Sequence, residues 1–204
     1  MKIICIGRNY CEHIAELQNQ KPQEPVFFFK TDSCLLEKGA PFYLPDFSQN
    51  VQYECEIVVR INRLGKSIPV SYAHNYYNEI SLGLDMTLRD VQKEEIAKGL
   101  PWSISKAFDY SAPLGRFVSL NTLQKTIDNL DFYLLKNGQK VQQANSSEMI
   151  FDVDNIISYL SKFITLKIGD IIFTGTPKGV GRVQIGDTLE GFLEGEKILS
   201  CRVK

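Results

Sequence analysis

Glu54 and Glu56 stand two residues apart in the run VQYECEIVV, residues 51–59, with Cys55 between them. In a β-strand, side chains alternate faces with period two, so both carboxylates would point one way and Cys55 the other. Adjacent like charges repel unless water bathes them or a cation sits between them. Asp85, in GLDMT at the end of a predicted strand, could supply a third carboxylate. An all-oxygen set suits a hard cation such as Mg²⁺ or Mn²⁺. Zinc fits less well, because the chain has two histidines and neither is near these acids in sequence. Taken alone, an E-x-E pair fits solvated surface charge better, since such pairs are common on exposed strand faces.

His13 and Glu16 are three apart on a predicted helix and share a face. A carboxylate beside an imidazole orients it and raises its basicity, as a general base requires. A solvated His and Glu on a surface helix would show the same spacing. His74, in SYAHNYYN, has no partner at a suggestive spacing and reads as structural or exposed. Arg89 and Gln92 follow Asp85, again three apart, and Lys106 lies in PWSISKAFD. Each could hold a substrate anion or carbonyl, and each alone also fits a surface position. TGTPKGVG, residues 174–181, is glycine-rich but matches neither the Walker loop nor G-x-G-x-x-G. It reads as a tight turn, or as a backbone wall with the Thr176 hydroxyl facing a small ligand.

These residues must be carried by elements. Strands are expected at 2–7, 25–30, 55–62 and 80–87, and helices at 10–20, 88–99 and 152–164, the last capped by Asp152. Residues 130–144 read as a hairpin turning at Asn137-Gly138, a pair suited to a type I′ turn. A strand from 169 runs into the glycine-rich loop ending at 181, and a final hairpin over 187–203 turns near Glu194-Gly195. Strands outnumber helices and come as hairpins more than as βαβ units. The expected fold class is therefore a β-rich α+β domain, not a Rossmann sheet.

The 204 residues suffice for one domain with a sizeable core. Net charge is −1, from 23 Lys+Arg against 24 Asp+Glu, and no basic run stands out. That balance gives no support for nucleic acid or an anionic membrane as partner. The five cysteines form no C-x-x-C pair and read as reduced thiols. The first residues lack a signal h-region or transit composition, and no apolar run approaches the length of a membrane span. The expectation is a cytoplasmic protein.

In chain order, GRNY with HIAE nearby, then EPVFFFK, YECE, LGLDMTLRDVQ, GLPWSISKAFD, SSEMIF and GDIIFTGTPKGVG together resemble the fumarylacetoacetate hydrolase family. The nearest subgroup is the short acylpyruvases and oxaloacetate decarboxylases. The blocks 83–92 and 169–181 are the most specific. The resemblance implies the β-rich roll of that family's catalytic domain, a mixed β-sandwich with short helices, as a single domain over 1–204 with no separate N-terminal domain. It also implies a homodimer. Glu54, Glu56 and Asp85 would bind Mg²⁺ or Mn²⁺, with no organic cofactor. The His13–Glu16 helix would be a lid bearing a catalytic dyad, and Lys106 the active-site lysine. Arg89, Gln92 and Thr176 would lie on the substrate side, with residues 17–24 helping to build the distal wall.

The implied chemistry is hydrolysis of the C–C bond of a small acylpyruvate to pyruvate and a carboxylic acid. The cation would act as Lewis acid for the enolate, and His13 would activate water. Oxaloacetate decarboxylation, or isomerisation of a related dienoate, is the alternative on the same site, and a non-catalytic oxo-acid binder is a third. Two departures from the family pattern bear on substrate choice. Gln52 and Tyr53 stand where histidines are frequent, and Ala144-Asn145-Ser146 replaces a G-N-T.

Overall fold

The computed structural model describes residues 1–16, 20–36 and 39–204. A six-stranded sheet runs, in spatial order, through Val26–Lys30, Ile3–Gly7, Ile171–Phe173, Cys55–Ile61, Tyr77–Leu84 and Val118–Ser119. Only the Ile3–Gly7/Ile171–Phe173 pair in it is parallel. A second sheet of four strands orders Gln139–Asn145, Asp131–Lys136, Thr188–Leu193 and Glu196–Arg202, all antiparallel. Three- and two-stranded ribbons complete the framework, and the helices are short. The β-rich α+β expectation is met.

The central strand Cys55–Ile61 is buried at every position but Arg60, which is why CEIVVRI reads as an almost continuous apolar run. The core joins it to Phe132, Leu134, Leu189 and Leu193 of the second sheet. The helix Val153–Phe163 closes one side, burying Val153, Ile156, Ile157 and Leu160. Its Asp152 cap accepts the Asn155 N–H at 2.7 Å, as the sequence suggests. Both hairpin turns also form where expected. Asn137 and Gly138 have φ of 53° and 79°, and Glu194 and Gly195 have φ of 48° and 81°.

Some boundaries move. The strand predicted over 80–87 begins earlier and stops at Leu84, and a separate short strand Thr87–Leu88 pairs with Val51–Tyr53. The strand expected from 169 is only Ile171–Phe173, and the rest is loop. The first helix covers Cys11–Glu16, and the predicted extension through residues 17–19 lies outside the described residues. Among the described residues, no helix is long and apolar enough to cross a membrane. All five cysteines are free thiols, and only Cys11 is exposed.

Candidate active site and metal centre

Glu54 is not a strand residue, so the simple alternation argument needs correcting. It sits at the break between Val51–Tyr53 and Cys55–Ile61. There its carbonyl accepts the Asp85 N–H at 2.8 Å, just past the end of the neighbouring strand. Glu56, one residue into Cys55–Ile61, pairs across with Gly83. Two strand ends thus deliver three acids to one point. A β-carbon on Gly83 would meet the Phe173 ring at 2.4 Å, so glycine leaves the room that this ring occupies beside the acids.

The three carboxylates are buried, and one oxygen from each lies within 4.8 Å of the others. They are not solvated surface charges. Glu54 accepts from Arg89 Nη2 and, at 2.7 Å, from Lys106 Nζ. Burial by itself would raise its pKa, but the Lys106 and Arg89 charges outweigh that and hold it far below the usual carboxylate range. Asp85 accepts Lys106 Nζ at 2.6 Å. Its other oxygen is 2.8 Å from Lys30 Nζ yet makes no hydrogen bond. Glu56 has no cation of its own and accepts the Gly175 N–H at 2.7 Å. Burial, then repulsion from Asp85 and Glu54, pushes its pKa well up.

A hard divalent ion fits this set. The donors are all carboxylate oxygens within 4.8 Å of one another, the donor type that a hard cation takes. One buried oxygen lacks a hydrogen bond, and one acid lacks a counter-charge. Glu54, Glu56 and Asp85 are the residues that would hold the ion.

Lys106 ends the short helix Ser103–Lys106 and donates to Glu54, Asp85 and, at 2.6 Å, Thr87 Oγ1. Burial alone would lower its pKa, but Asp85 and Glu54 raise it. Buried Glu95 accepts the Ile104 N–H and the Ser105 hydroxyl, fixing the turn that carries Lys106. Arg89 is wholly engaged: Nε to Gln52 Oε1 at 2.8 Å, Nη1 to Gln92 Oε1 at 2.6 Å, and Nη2 to Glu54. Gln52, one of the departures from the family pattern, is thus a support for Arg89. Because the Gln92 carbonyl is taken by Arg89, its NH₂ is the end left to face the cavity that both line.

The Thr176 hydroxyl donates to Cys55 O at 2.9 Å and accepts from Gln142 Nε2 at 2.9 Å. It is held by protein atoms as well as lining the cavity. The glycine-rich loop acts through its backbone: Gly175, at φ 99°, gives its N–H to Glu56, and a β-carbon there would meet Asn9 Cβ at 2.7 Å. The loop thus meets the acid cluster through a backbone N–H, while the Thr176 hydroxyl is bonded to protein atoms.

Buried His13 places Nδ1 3.1 Å from Glu16 Oε2. A carboxylate accepts, so Nδ1 carries the proton and Nε2 remains as the basic nitrogen. Glu16 also accepts the Gly179 N–H at 3.2 Å, and Glu12 pairs with Lys178 at 3.0 Å, so helix Cys11–Glu16 is clasped to the glycine-rich loop. His74 is exposed, as expected.

All nine residues singled out from the sequence thus meet around one region. His13, Glu54, Glu56, Asp85, Arg89, Gln92, Lys106 and Thr176 line one cavity of about 50 Å³, and Glu16 orients His13 behind it. A larger cavity of about 370 Å³, beside Leu36, Pro113 and Ile198, holds no acids. Two buried residues were missed. Lys30, ending VFFFK, ion-pairs with Asp85 and donates to Ser111 Oγ at 2.9 Å. A lysine closing an apolar strand was the available signal. Gln142 accepts the Cys55 N–H at 2.9 Å and so satisfies the backbone at the strand break; nothing in its hairpin sequence marks it. In the other departing segment Asn145, which keeps the family residue, forms a capping box with Glu148, and Ser146 Oγ accepts the Leu130 N–H at 2.8 Å. The capping box serves the local turn.

Comparison with known proteins agrees on the family. Residues 2–204 match the family described as Fumarylacetoacetate (FAA) hydrolase C-terminal. The chain is 41% identical over 202 residues to oxaloacetate tautomerase FAHD1, mitochondrial, of Rattus norvegicus, covering 99% of this chain and 90% of that protein. It is 40% identical over 190 residues to oxaloacetate decarboxylase, mitochondrial, of Dictyostelium discoideum, covering 93% and 87%. Among solved structures, fumarylpyruvate hydrolase from Pseudomonas aeruginosa in complex with Mn²⁺ and pyruvate superposes with a TM-score of 0.93 at 35% identity, over 100% of this chain and 89% of that one. With fold, acid cluster and full-length similarity in agreement, the chain belongs to the fumarylacetoacetate hydrolase family.

Proposed function

We propose that this chain is a Mg²⁺- or Mn²⁺-dependent enzyme that enolises a small 2-oxo dicarboxylate, tautomerising or decarboxylating a substrate of the oxaloacetate type. The carrying observation is the charge balance of the site. Three buried acids face three buried cations, Lys30, Lys106 and Arg89. A divalent ion would therefore add net positive charge to a site that Arg8 also lines, which favours an anionic oxo acid. The relatives named for oxaloacetate chemistry support the same reading.

The ion, when bound, supplies a Lewis acid for the 2-oxo-carboxylate end and stabilises negative charge on an enolate. Lys106 and Lys30 hold the Asp85 and Glu54 carboxylates in place. Gln92, turned by Arg89, presents its NH₂ to the substrate. His13 Nε2 takes the proton that leaves carbon in tautomerisation, and Glu16 stabilises the imidazolium through Nδ1–H. Decarboxylation needs no such base.

A second reading, hydrolysis of an acylpyruvate to pyruvate and a carboxylic acid, is favoured by the assembled His13–Glu16 dyad, which suits activation of water. Pyruvate release and enol formation, measured on oxaloacetate, acetylpyruvate and fumarylpyruvate, separate the two readings. Oxaloacetate turnover that is metal-dependent, with decarboxylation surviving in His13→Ala, supports the proposal. Strong turnover of an acylpyruvate alone, lost in His13→Ala, selects the hydrolase. Absence of turnover with tight ion binding would leave a binding module. A cytoplasmic homodimer completes the proposal, with free thiols suited to a reducing compartment.

A further inference from the structure

We infer that Arg8 is the specificity-determining residue of this site, reading the distal carboxylate of a dicarboxylic substrate. The inference rests on the proposed oxo-acid chemistry and goes further by naming the group that selects the second charge. Arg8 is half-buried and lines the same cavity as His13, Glu56 and Gln92. Lys30, Lys106 and Arg89 are each paired with Glu54 or Asp85. Arg8 is different: among the described residues it has no carboxylate partner, and its guanidinium lies 5.8 Å from the centre of the Trp102 ring. That ring lines the cavity as well.

The backbone is also unusual. Arg8 has φ of 61°, a left-handed conformation that costs a side-chain-bearing residue free energy and persists only where neighbours impose it. The neighbours here do. Asn9 donates to Phe151 O at 2.9 Å and Thr174 O at 2.8 Å, and accepts the Phe151 N–H at 2.8 Å. The Ile150 N–H binds Asn9 O at 2.8 Å, and Gly175 packs against Asn9 with no room for a β-carbon. An arginine serving only as surface charge needs neither a strained backbone nor an aromatic shelf. One held ready for a planar carboxylate benefits from both, because a pre-placed fork loses less freedom on binding.

The test compares wild type with Arg8→Asn, since asparagine tolerates this conformation, and with Arg8→Lys. Calorimetry of the Mg²⁺-loaded proteins uses three unreactive acids: oxalate for the metal end alone, lactate with one carboxylate, and malate with a distal second. Arg8→Asn is expected to weaken malate by about 10- to 100-fold, the range for a charged hydrogen-bonded pair, while oxalate and lactate change by less than about twofold. Arg8→Lys should recover part of the loss, and kcat/KM for oxaloacetate should follow malate. Equal weakening of oxalate and malate, or unchanged malate, overturns the inference. Wild type that binds oxalate no better with Mg²⁺ than without it overturns the oxo-acid reading itself, and this inference with it.

Discussion

Replacing Glu56 by Gln should make the metal-free protein more stable and the metal-loaded one less so. Glu56 is buried, has no cation of its own, and has Glu54 and Asp85 oxygens within 4.8 Å. At an effective dielectric constant of about 20, two unit charges at that distance repel by about 3.5 kcal/mol. Glu56 feels two such repulsions. Lys106 and the other cations paired with its neighbours offset most of them, leaving a net cost of about 1–3 kcal/mol that the amide removes. The Gln carbonyl can still accept the Gly175 N–H. The pH dependence gives the sign. A carboxylate whose pKa is raised on folding keeps its proton while the unfolded chain loses it, so stability falls as pH rises from about 4.3 toward the folded-state value. The advantage of Glu56→Gln should therefore grow over that window and then level off. Urea unfolding in EDTA, followed by the single tryptophan, Trp102, measures it. With Mn²⁺ at about 100 times Kd, wild type gains about 2.7 kcal/mol, and the variant should lose most of this. A variant less stable than wild type in EDTA at every pH, or stabilised equally by Mn²⁺, would refute the reasoning.

Lys30→Met should cost the metal-free protein about 3–5 kcal/mol, because it strips the ammonium from a buried pair with Asp85. Mn²⁺ should bind this variant more tightly, since one competing cation is gone; a loss below 1 kcal/mol or weaker Mn²⁺ binding by titration would contradict this. Gly83→Ala should cost about 1–3 kcal/mol or more in urea unfolding, since the new methyl would meet Phe173 at 2.4 Å and Val58 at 2.9 Å. An unchanged midpoint would show that the Phe173 and Val58 side chains can give way there at little cost.

Much of this architecture was legible in local chemistry. Asn137-Gly138 turns because two successive left-handed residues favour that pair, and Asp152 caps because its side chain reaches the Asn155 N–H. Both preferences are local, and Asn137 is further held by Asp187 and Thr188. The acid cluster was legible only in part. Spacing put Glu54 and Glu56 on one side for the wrong reason, since Glu54 occupies a break whose free Cys55 N–H is satisfied by Gln142, far along the chain. Residue spacing alone favoured solvated acids, because burial of charge is decided by Lys30, Lys106 and Arg89 arriving from three separate segments. The ordered set of motifs identified the family where single motifs did not. The left-handed Arg8 was invisible, because its conformation is imposed by Asn9 contacts with residues 150, 151 and 174.

The central claim is that Glu54, Glu56 and Asp85 hold a divalent ion on which turnover of a 2-oxo acid depends. Calorimetric titration of EDTA-stripped protein with Mn²⁺ tests it directly, with oxaloacetate turnover measured on the same samples, for wild type and Asp85→Asn. The expected result is one ion per chain, activity rising in step with occupancy, and loss of both in Asp85→Asn. Full turnover by the stripped protein, or Mn²⁺ binding unaffected by Asp85→Asn, would contradict the account.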